Sequence, residues 1–227
     1  MSQQVAGHKL SVREKLLTQG AESLSDAELL TAFISSGTSN RSCIQLAQDL
    51  LKQVGDLRAI LNASFQSFKQ VSGLGLVRYV QLQAAQEICR RSDFIHLQKK
   101  PRLFNTQQTY AFLKRRLRDK KNEVVAALFL DTQHHVITYE ELFIGTINMA
   151  TIHSRPIVTR VLQLNAAAII LAHNHPSGVS KASKQDISVT ERIRQAIELV
   201  DARLLDHLVV GDNEVYSILH GVTWRCH

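Results

Sequence analysis

Apolar positions in the first hundred residues recur at helical spacing. In SLSDAELLTAFI (23–34), Leu29, Leu30 and Phe33 share one face, and Ser25 with Glu28 three residues on has the form of an N-terminal capping box. SNRSCIQLAQDLLKQVG (39–55) carries Ile44, Leu46, Ala47, Leu50 and Leu51 as its apolar set, and Gly55 is a stop signal. In NASFQSFKQVSGLGLVRYVQLQAAQEICRR (62–91), two short helical patterns meet at Gly73-Leu74-Gly75, a connection tight enough to predict an α-hairpin.

The pattern changes after HLQKKPRLFNT (96–106), which has little periodicity and contains Pro101. We therefore expect a helical domain over 1–97, a linker over 98–105 and a second domain over 106–227. EVVAALFL (123–130) and VITYEELFIG (136–145) read as strands around the polar turn DTQHH, where His134 and His135 are turn residues. SRPIVTRVLQLN (154–165) predicts a helix with Ser154 as cap and Pro156 in its first turn. AAAIILA (166–172) is a continuous apolar run closed by Pro176 and Gly178, which predicts a buried strand. Ile187, Thr190, Ile193, Ile197 and Val200 mark a further helix, and LLDHLVVG with EVYSIL supplies two final strands. The expected fold class is α+β with two domains: an all-α N-terminal half and a mixed α/β C-terminal half.

Composition narrows the setting. The chain has 227 residues, 44% of them hydrophobic, with no apolar run long enough for a membrane span. The start MSQQVAGHKL lacks a secretory apolar stretch, and Cys43, Cys89 and Cys226 form no paired motif. A cytoplasmic protein with no membrane partner is expected. Net charge is +7, and its densest cluster is KRRLRDKK (114–121), which reads first as a solvated helix face.

The chemistry concentrates in LAHNHPSGVSKASKQD (171–186). At the end of a strand, side chains two apart point the same way, so His173 and His175 can converge on one ion while Asn174 faces away. Asp186 lies eleven residues after His175, across a Pro-Ser-Gly loop that lets the chain turn back. Two imidazoles and a carboxylate leave a fourth tetrahedral position for water, as in catalytic zinc sites, where the pKa of that water falls towards about 7. Mn²⁺ or Fe²⁺ could accept the same nitrogen and oxygen donors. SKQD (183–186) also has the form of a capping box opening the next helix, and the two roles are compatible.

HNHPSGVSKASKQD resembles the JAMM/MPN metalloprotease signature H-x-H-x7-S-x2-D, matching all four fixed positions. The flanking LFLD, FIGTIN, NAAAIILAHNHPSG and LLDHLVVG are similar to the bacterial RadC family. REKLLTQGAESLSDAELL and the Gly-Leu-Gly hairpin resemble that family's N-terminal region. The resemblance implies a cytidine-deaminase-like JAMM/MPN fold for the second domain, zinc ligands His173, His175 and Asp186, and Ser183 orienting water or the oxyanion. It also implies an upstream glutamate as general base. Glu140 and Glu141 both lie on strand 136–145, alternation lets one of them face the metal, and Glu140 is assigned by analogy. The implied activity is metal-assisted hydrolysis of an amide or isopeptide bond in a peptide or protein substrate. His207 is the further polar group expected nearby, and we read it as structural. One departure stands out: where the family has a second proline before the serine, this chain has Lys181-Ala182.

VSGLGLVRYVQLQAAQEI resembles a helix-hairpin-helix. Gly73 and Gly75 would let backbone amides meet a phosphate, and Arg78, with Arg90 and Arg91 further on, would add charge. Non-specific, salt-sensitive DNA is accordingly the second expected partner. The alternative function is a DNA-binding repair or recombination factor whose metal site is structural or vestigial.

Overall fold

A computed structural model describes residues 10–99, 106–145 and 152–225, in two compact units divided between Cys89 and Arg90. The first unit opens with α1 (Val12–Gln19), α2 (Asp26–Ile34) and α3 (Cys43–Val54). Each starts at a serine whose side chain accepts the third residue's N–H while that residue's side chain accepts the serine N–H. The pairs are Ser11 with Glu14, Ser25 with Glu28 and Ser42 with Gln45. Short helices α4 (Leu57–Asn62) and α5 (Phe65–Phe68) follow, and Leu30, Ile34, Leu46, Leu50, Ile60 and Phe68 close the core.

The hairpin after α5 turns at Gly73, whose φ of 99° is left-handed. A Cβ there would stand 2.6 Å from Thr38 Cγ2, so the turn needs glycine on two counts. The helix beyond it, α6 (Leu76–Lys99), has 24 residues where the sequence suggested a short one. Nothing between Gly75 and Pro101 breaks a helix, so it continues. The division between the units falls inside α6: Leu82 packs in the first core, Phe94 and Leu97 in the second. Of the expected linker 98–105, residues 98 and 99 end α6 and 100–105 lie outside the described residues.

The second unit continues with α7 (Thr106–Leu117), β1 (Val124–Leu130), β2 (Val136–Ile144), α8 (Ser154–Gln163), β3 (Ala168–Asn174), α9 (Lys184–Glu198) and β4 (Arg203–Val210). Two short strands, β5 (Glu214–Ser217) and β6 (Val222–Arg225), complete a sheet of order β2-β1-β3-β4-β5-β6. β3 and β4 are parallel, joined through α9, and the other pairs are antiparallel. α7 packs on one face with Ala126, Leu128, Ile170 and Leu208. α8 and α9 cover the other with Val125, Ala127, Ile169 and Leu171. β1 and β3 are therefore buried along their whole length, which is why both read as continuous apolar runs.

Three local expectations change. α8 begins at Ser154 with His153 as its cap residue, and no side chain caps it. A third C-terminal strand, β6, follows the two expected; four residues are too few to display a period. The basic cluster at 114–121 is engaged within its own unit. Lys114 is buried, Arg115 pairs with Asp93 at 2.8 Å, Lys120 with Glu141 at 2.8 Å, and the Arg116 guanidinium lies over the rings of Phe112 and Tyr139. Among the described residues, no helix is long and apolar enough to cross a membrane.

Candidate metal centre

The carboxyl end of β3 carries the first histidine on the sheet face that packs against α8 and α9. His173 is fully buried, and His175 follows one residue past the strand. The loop after it is fixed to the β4–β5 turn. His175 N–H donates to Val210 O, Asp212 N–H donates to Gly178 O, and Ser180 Oγ donates to Glu214 Oε1. Gly178 adopts φ 78°, where a Cβ would run into Asp212. That docking returns the chain to Ser183 and brings Asp186 back against the histidines, with Lys181 and Ala182 in the place of the family's proline.

His173 Nε2 lies 3.2 Å from His175 Nε2 and 3.5 Å from Asp186 Oδ1, and His175 Nε2 lies 3.8 Å from Asp186 Oδ2. Tetrahedral ligands held at zinc–nitrogen bond lengths stand about 3.3 Å apart. Octahedral neighbours at a similar bond length stand about 2.9 Å apart. The two histidine nitrogens thus stand near the tetrahedral spacing, with the carboxylate a little further out.

The protonation pattern follows from the partners. His175 Nδ1 is 2.8 Å from Val179 O, which can only accept, so Nδ1 carries a proton and, in the neutral ring, Nε2 holds the lone pair. On the other ring, His173 Nδ1 meets His207 Nε2 at 2.9 Å. Burial pushes His173 down to about 4, against the pull of the Asp186 charge and helped by His175. The two Nε2 atoms and the Asp186 carboxylate therefore face one another as nitrogen and oxygen atoms of the kind that a cation takes as ligands.

Ser183 and Asp186 form the capping box of α9 while taking part in this cluster. Ser183 N–H donates to Asp186 Oδ2 at 2.7 Å, and Asp186 N–H donates to Ser183 Oγ at 3.1 Å. The capping and cluster roles are both filled by the same two residues. His175, Ser183 and Asp186 open on a cavity of about 120 Å³ whose wall also includes Gln185, Ile152, Val189 and a carboxylate, that of Glu123.

The carboxylate in the cavity is Glu123 and not Glu140. Glu140 lies on the same sheet face as His173, but on the edge strand β2, opposite Ala127. There it accepts from Arg160 Nε at 2.7 Å and from its terminal nitrogen at 2.5 Å, and this pairing lowers its pKa. Glu141 points to the other face and binds Lys120. Glu123 precedes β1, and β1 runs antiparallel to β3 with Val125 opposite His173. Continuing that register sets Glu123 opposite His175. Burial raises the Glu123 pKa; His175 opposes the rise and Asp186 adds to it.

Asn174, between the two histidines, faces away from the cluster and is fully buried. Its Oδ1 accepts Val124 N–H at 2.8 Å, and its Nδ2 donates to Asn122 O at 3.1 Å and Lys120 O at 3.2 Å. It therefore clamps both backbone neighbours of Glu123 to the strand that carries the histidines. Spacing alone did not reveal this role.

The helix-hairpin-helix residues sit otherwise than expected. The part-buried Arg78 guanidinium donates to Ile34 O at 2.9 Å, to Ser36 O at 2.7 Å and to Gly73 O. It ties the hairpin to the end of α2. Gly73 makes the turn, no atom crowds the Cβ position of Gly75, and the first turns of α6 expose Leu76, Val77 and Val80.

Comparison with known proteins places both units. Residues 103–222 match the family described as RadC-like JAB domain, and residues 11–80 match the UPF0758 N-terminal family. A UPF0758 protein of Legionella pneumophila (strain Philadelphia 1) is 70% identical over 219 residues, 96% of each chain. Its counterpart in strain Lens is 69% identical over the same share. A UPF0758 protein of Thioalkalivibrio sulfidiphilus is 50% identical over 203 residues, covering 89% of this chain and 91% of its own.

Proposed function

Because the chain belongs to the RadC-like JAB-domain family, with its UPF0758 N-terminal region, we propose that it is a zinc-dependent hydrolase of amide bonds, of the peptidase or isopeptidase type. One observation carries the reading: two histidine nitrogens and a carboxylate stand 3.2–3.8 Å apart, the Nδ1 positions of both rings are engaged elsewhere, and Glu123 shares their cavity.

His173, His175 and Asp186 would hold the ion. Zinc bound there supplies Lewis acidity that activates water and polarises a carbonyl. Glu123 is the general base: its raised pKa suits it to take a proton from the attacking water and return it to the leaving amine. Ser183 Oγ already accepts Asp186 N–H, so its own proton can be donated to the oxyanion. The buried carbons of Ile152 and Val189 limit the water around these groups. The substrate class is a peptide or a protein bearing an amide-linked modifier.

The test is zinc content by plasma mass spectrometry, followed by incubation of the loaded protein with peptide and isopeptide libraries. About one zinc per chain, lost in His175→Ala and Asp186→Ala, is expected. Cleavage should vanish in Glu123→Gln while zinc is retained. Wild-type protein that takes up no zinc overturns the metal centre, and loaded protein that cuts nothing across the libraries overturns the hydrolase.

A further inference from the structure

The hydrogen bonds behind His173 form a directed chain. Thr190, buried in α9, donates its hydroxyl to Asp186 O at 2.6 Å. A carbonyl can only accept and a hydroxyl has one proton, so the second partner of Thr190 Oγ1 must donate to it. That partner is His207 Nδ1 of β4, 2.5 Å away. His207 Nδ1 is therefore protonated and, in the neutral ring, His207 Nε2 is an acceptor. The proton between it and His173 Nδ1 then belongs to His173, and His173 Nε2 is left bare towards His175 and Asp186.

Resting on the reading of this cluster as a metal centre, we propose that His207 and Thr190 are positioning residues that lock His173 in its Nδ1–H form, so that a lone pair and not a proton meets the ion. The direction is set at the far end by the carbonyl of Asp186, itself a member of the cluster. Two members are thus joined through three elements, β3, β4 and α9, by a chain of three hydrogen bonds. β4 is in turn fixed beside the relay. Asp206 accepts from His207 N–H at 2.7 Å, Ser217 Oγ at 2.8 Å and Tyr110 Oη at 2.5 Å. His207 has no place to swing to: it is fully buried and both ring nitrogens are engaged. The expectation that His207 is structural is thereby sharpened into a specific duty towards one ligand.

Removing the Thr190 hydroxyl takes away the acceptor that holds the His207 proton on Nδ1. In Thr190→Val the proton moves to His207 Nε2, which then donates to His173 Nδ1, and the His173 proton relocates to Nε2, facing the ion. The loss expected for an outer partner of a metal-bound histidine is about tenfold to a hundredfold in zinc affinity. Thr190→Ser keeps a hydroxyl and should restore affinity close to wild type.

The experiment has two arms. Long-range ¹H–¹⁵N correlation spectra of the metal-free wild-type protein give the tautomers directly, with Nδ1–H expected on both His173 and His207. Competition with a chromophoric chelator gives zinc affinity for wild type, Thr190→Val and Thr190→Ser, with thermal unfolding as the control for folding. His173 found in the Nε2–H form overturns the relay whatever the zinc affinity, and needs no variant. A folded Thr190→Val that binds zinc as tightly as wild type also overturns it. Wild-type protein with the expected tautomers that takes up no zinc overturns the metal reading and, with it, the purpose of the relay.

Discussion

The role given to Asn174 can be tested by its removal. In Asn174→Ala, Val124 N–H, at a residue 3% exposed, loses its acceptor. An orphaned buried donor costs about 1–3 kcal/mol. The two bonds from Nδ2 to Asn122 O and Lys120 O are each worth about 0.5–1.5 kcal/mol, the lower end applying where those carbonyls recover water. The sum is about 2–6 kcal/mol, a large part of the roughly 5–15 kcal/mol that holds a domain folded. Trp224 is the one tryptophan of the chain and lies in the second unit, so its fluorescence during urea unfolding reports on that unit. The midpoint should fall while the denaturant dependence stays unchanged. Asn174→Asp sharpens the test. It keeps the acceptor for Val124 N–H but sets a carboxylate oxygen where Nδ2 stood, 3.1 and 3.2 Å from two carbonyl oxygens. Its loss at neutral pH should be at least that of alanine. A loss under about 1 kcal/mol in Asn174→Ala would refute the clamp, because an unpaired Val124 N–H alone exceeds it.

Four further outcomes follow from the same structure. Glu123→Gln should abolish amide hydrolysis in the zinc-loaded protein, whereas Glu140→Gln should leave turnover within about threefold and cost less than about 1 kcal/mol, as a part-exposed pair with Arg160 does; equal loss in both would return the base to β2. Arg78→Ala, which strips donors from Ile34 O, Ser36 O and Gly73 O, should destabilise the first unit by about 2–3 kcal/mol in thermal unfolding followed by circular dichroism, and an unchanged midpoint would release Arg78 for a phosphate. Gly73→Ala should lower that midpoint through its left-handed φ and the contact with Thr38, while Gly75→Ala, with open space at its Cβ, should change it little. Glu28 is held at about 2, below its ordinary 4.5, chiefly by Ser25 N–H and also by Ser25 Oγ and Lys15. Its folded pKa is the lower one, so its contribution is full above pH 4.5 and is lost as pH falls from 4.5 towards 2, and Glu28→Gln should flatten the acid limb of a pH–stability curve over that window.

What the sequence disclosed tracks how local each feature is. The capping box at Ser25 and Glu28, the strand from Val124 to Leu130 and the grouping of His173, His175, Ser183 and Asp186 all depend on residues within one turn, one strand or one loop. Each has a period or a spacing. The length of α6 was missed because attention to Gly73 and Gly75 fixed where it starts, while its far end is set only by the absence of a breaker before Pro101.

The place of Glu123, our proposed general base, and the proposed histidine relay fail to show for a different reason, which is strand pairing. Glu140 stands on a strand of helpful length and ambiguous alternation, and nothing in its spacing tells that β2 lies at the edge with β1 between it and β3. Glu123 is fifty residues from His173 in the chain and comes to the cavity because β1 is antiparallel to β3. His207 arrives because β4 is parallel to β3 and places it opposite Leu171. A signal did exist. EVVAALFL and AAAIILAHN are the two continuous apolar runs in the chain's second half, and such runs belong to the middle of a sheet, where they neighbour each other. Pairing them antiparallel, so that the polar end of one meets the polar end of the other, puts Glu123 beside His175 and leaves Glu140 outside. Two acidic residues on an alternating, half-exposed strand fit an edge, and an edge is where Arg160 can reach Glu140. Burial pattern, then, points to Glu123, a residue outside the choice between Glu140 and Glu141 that motif spacing left open.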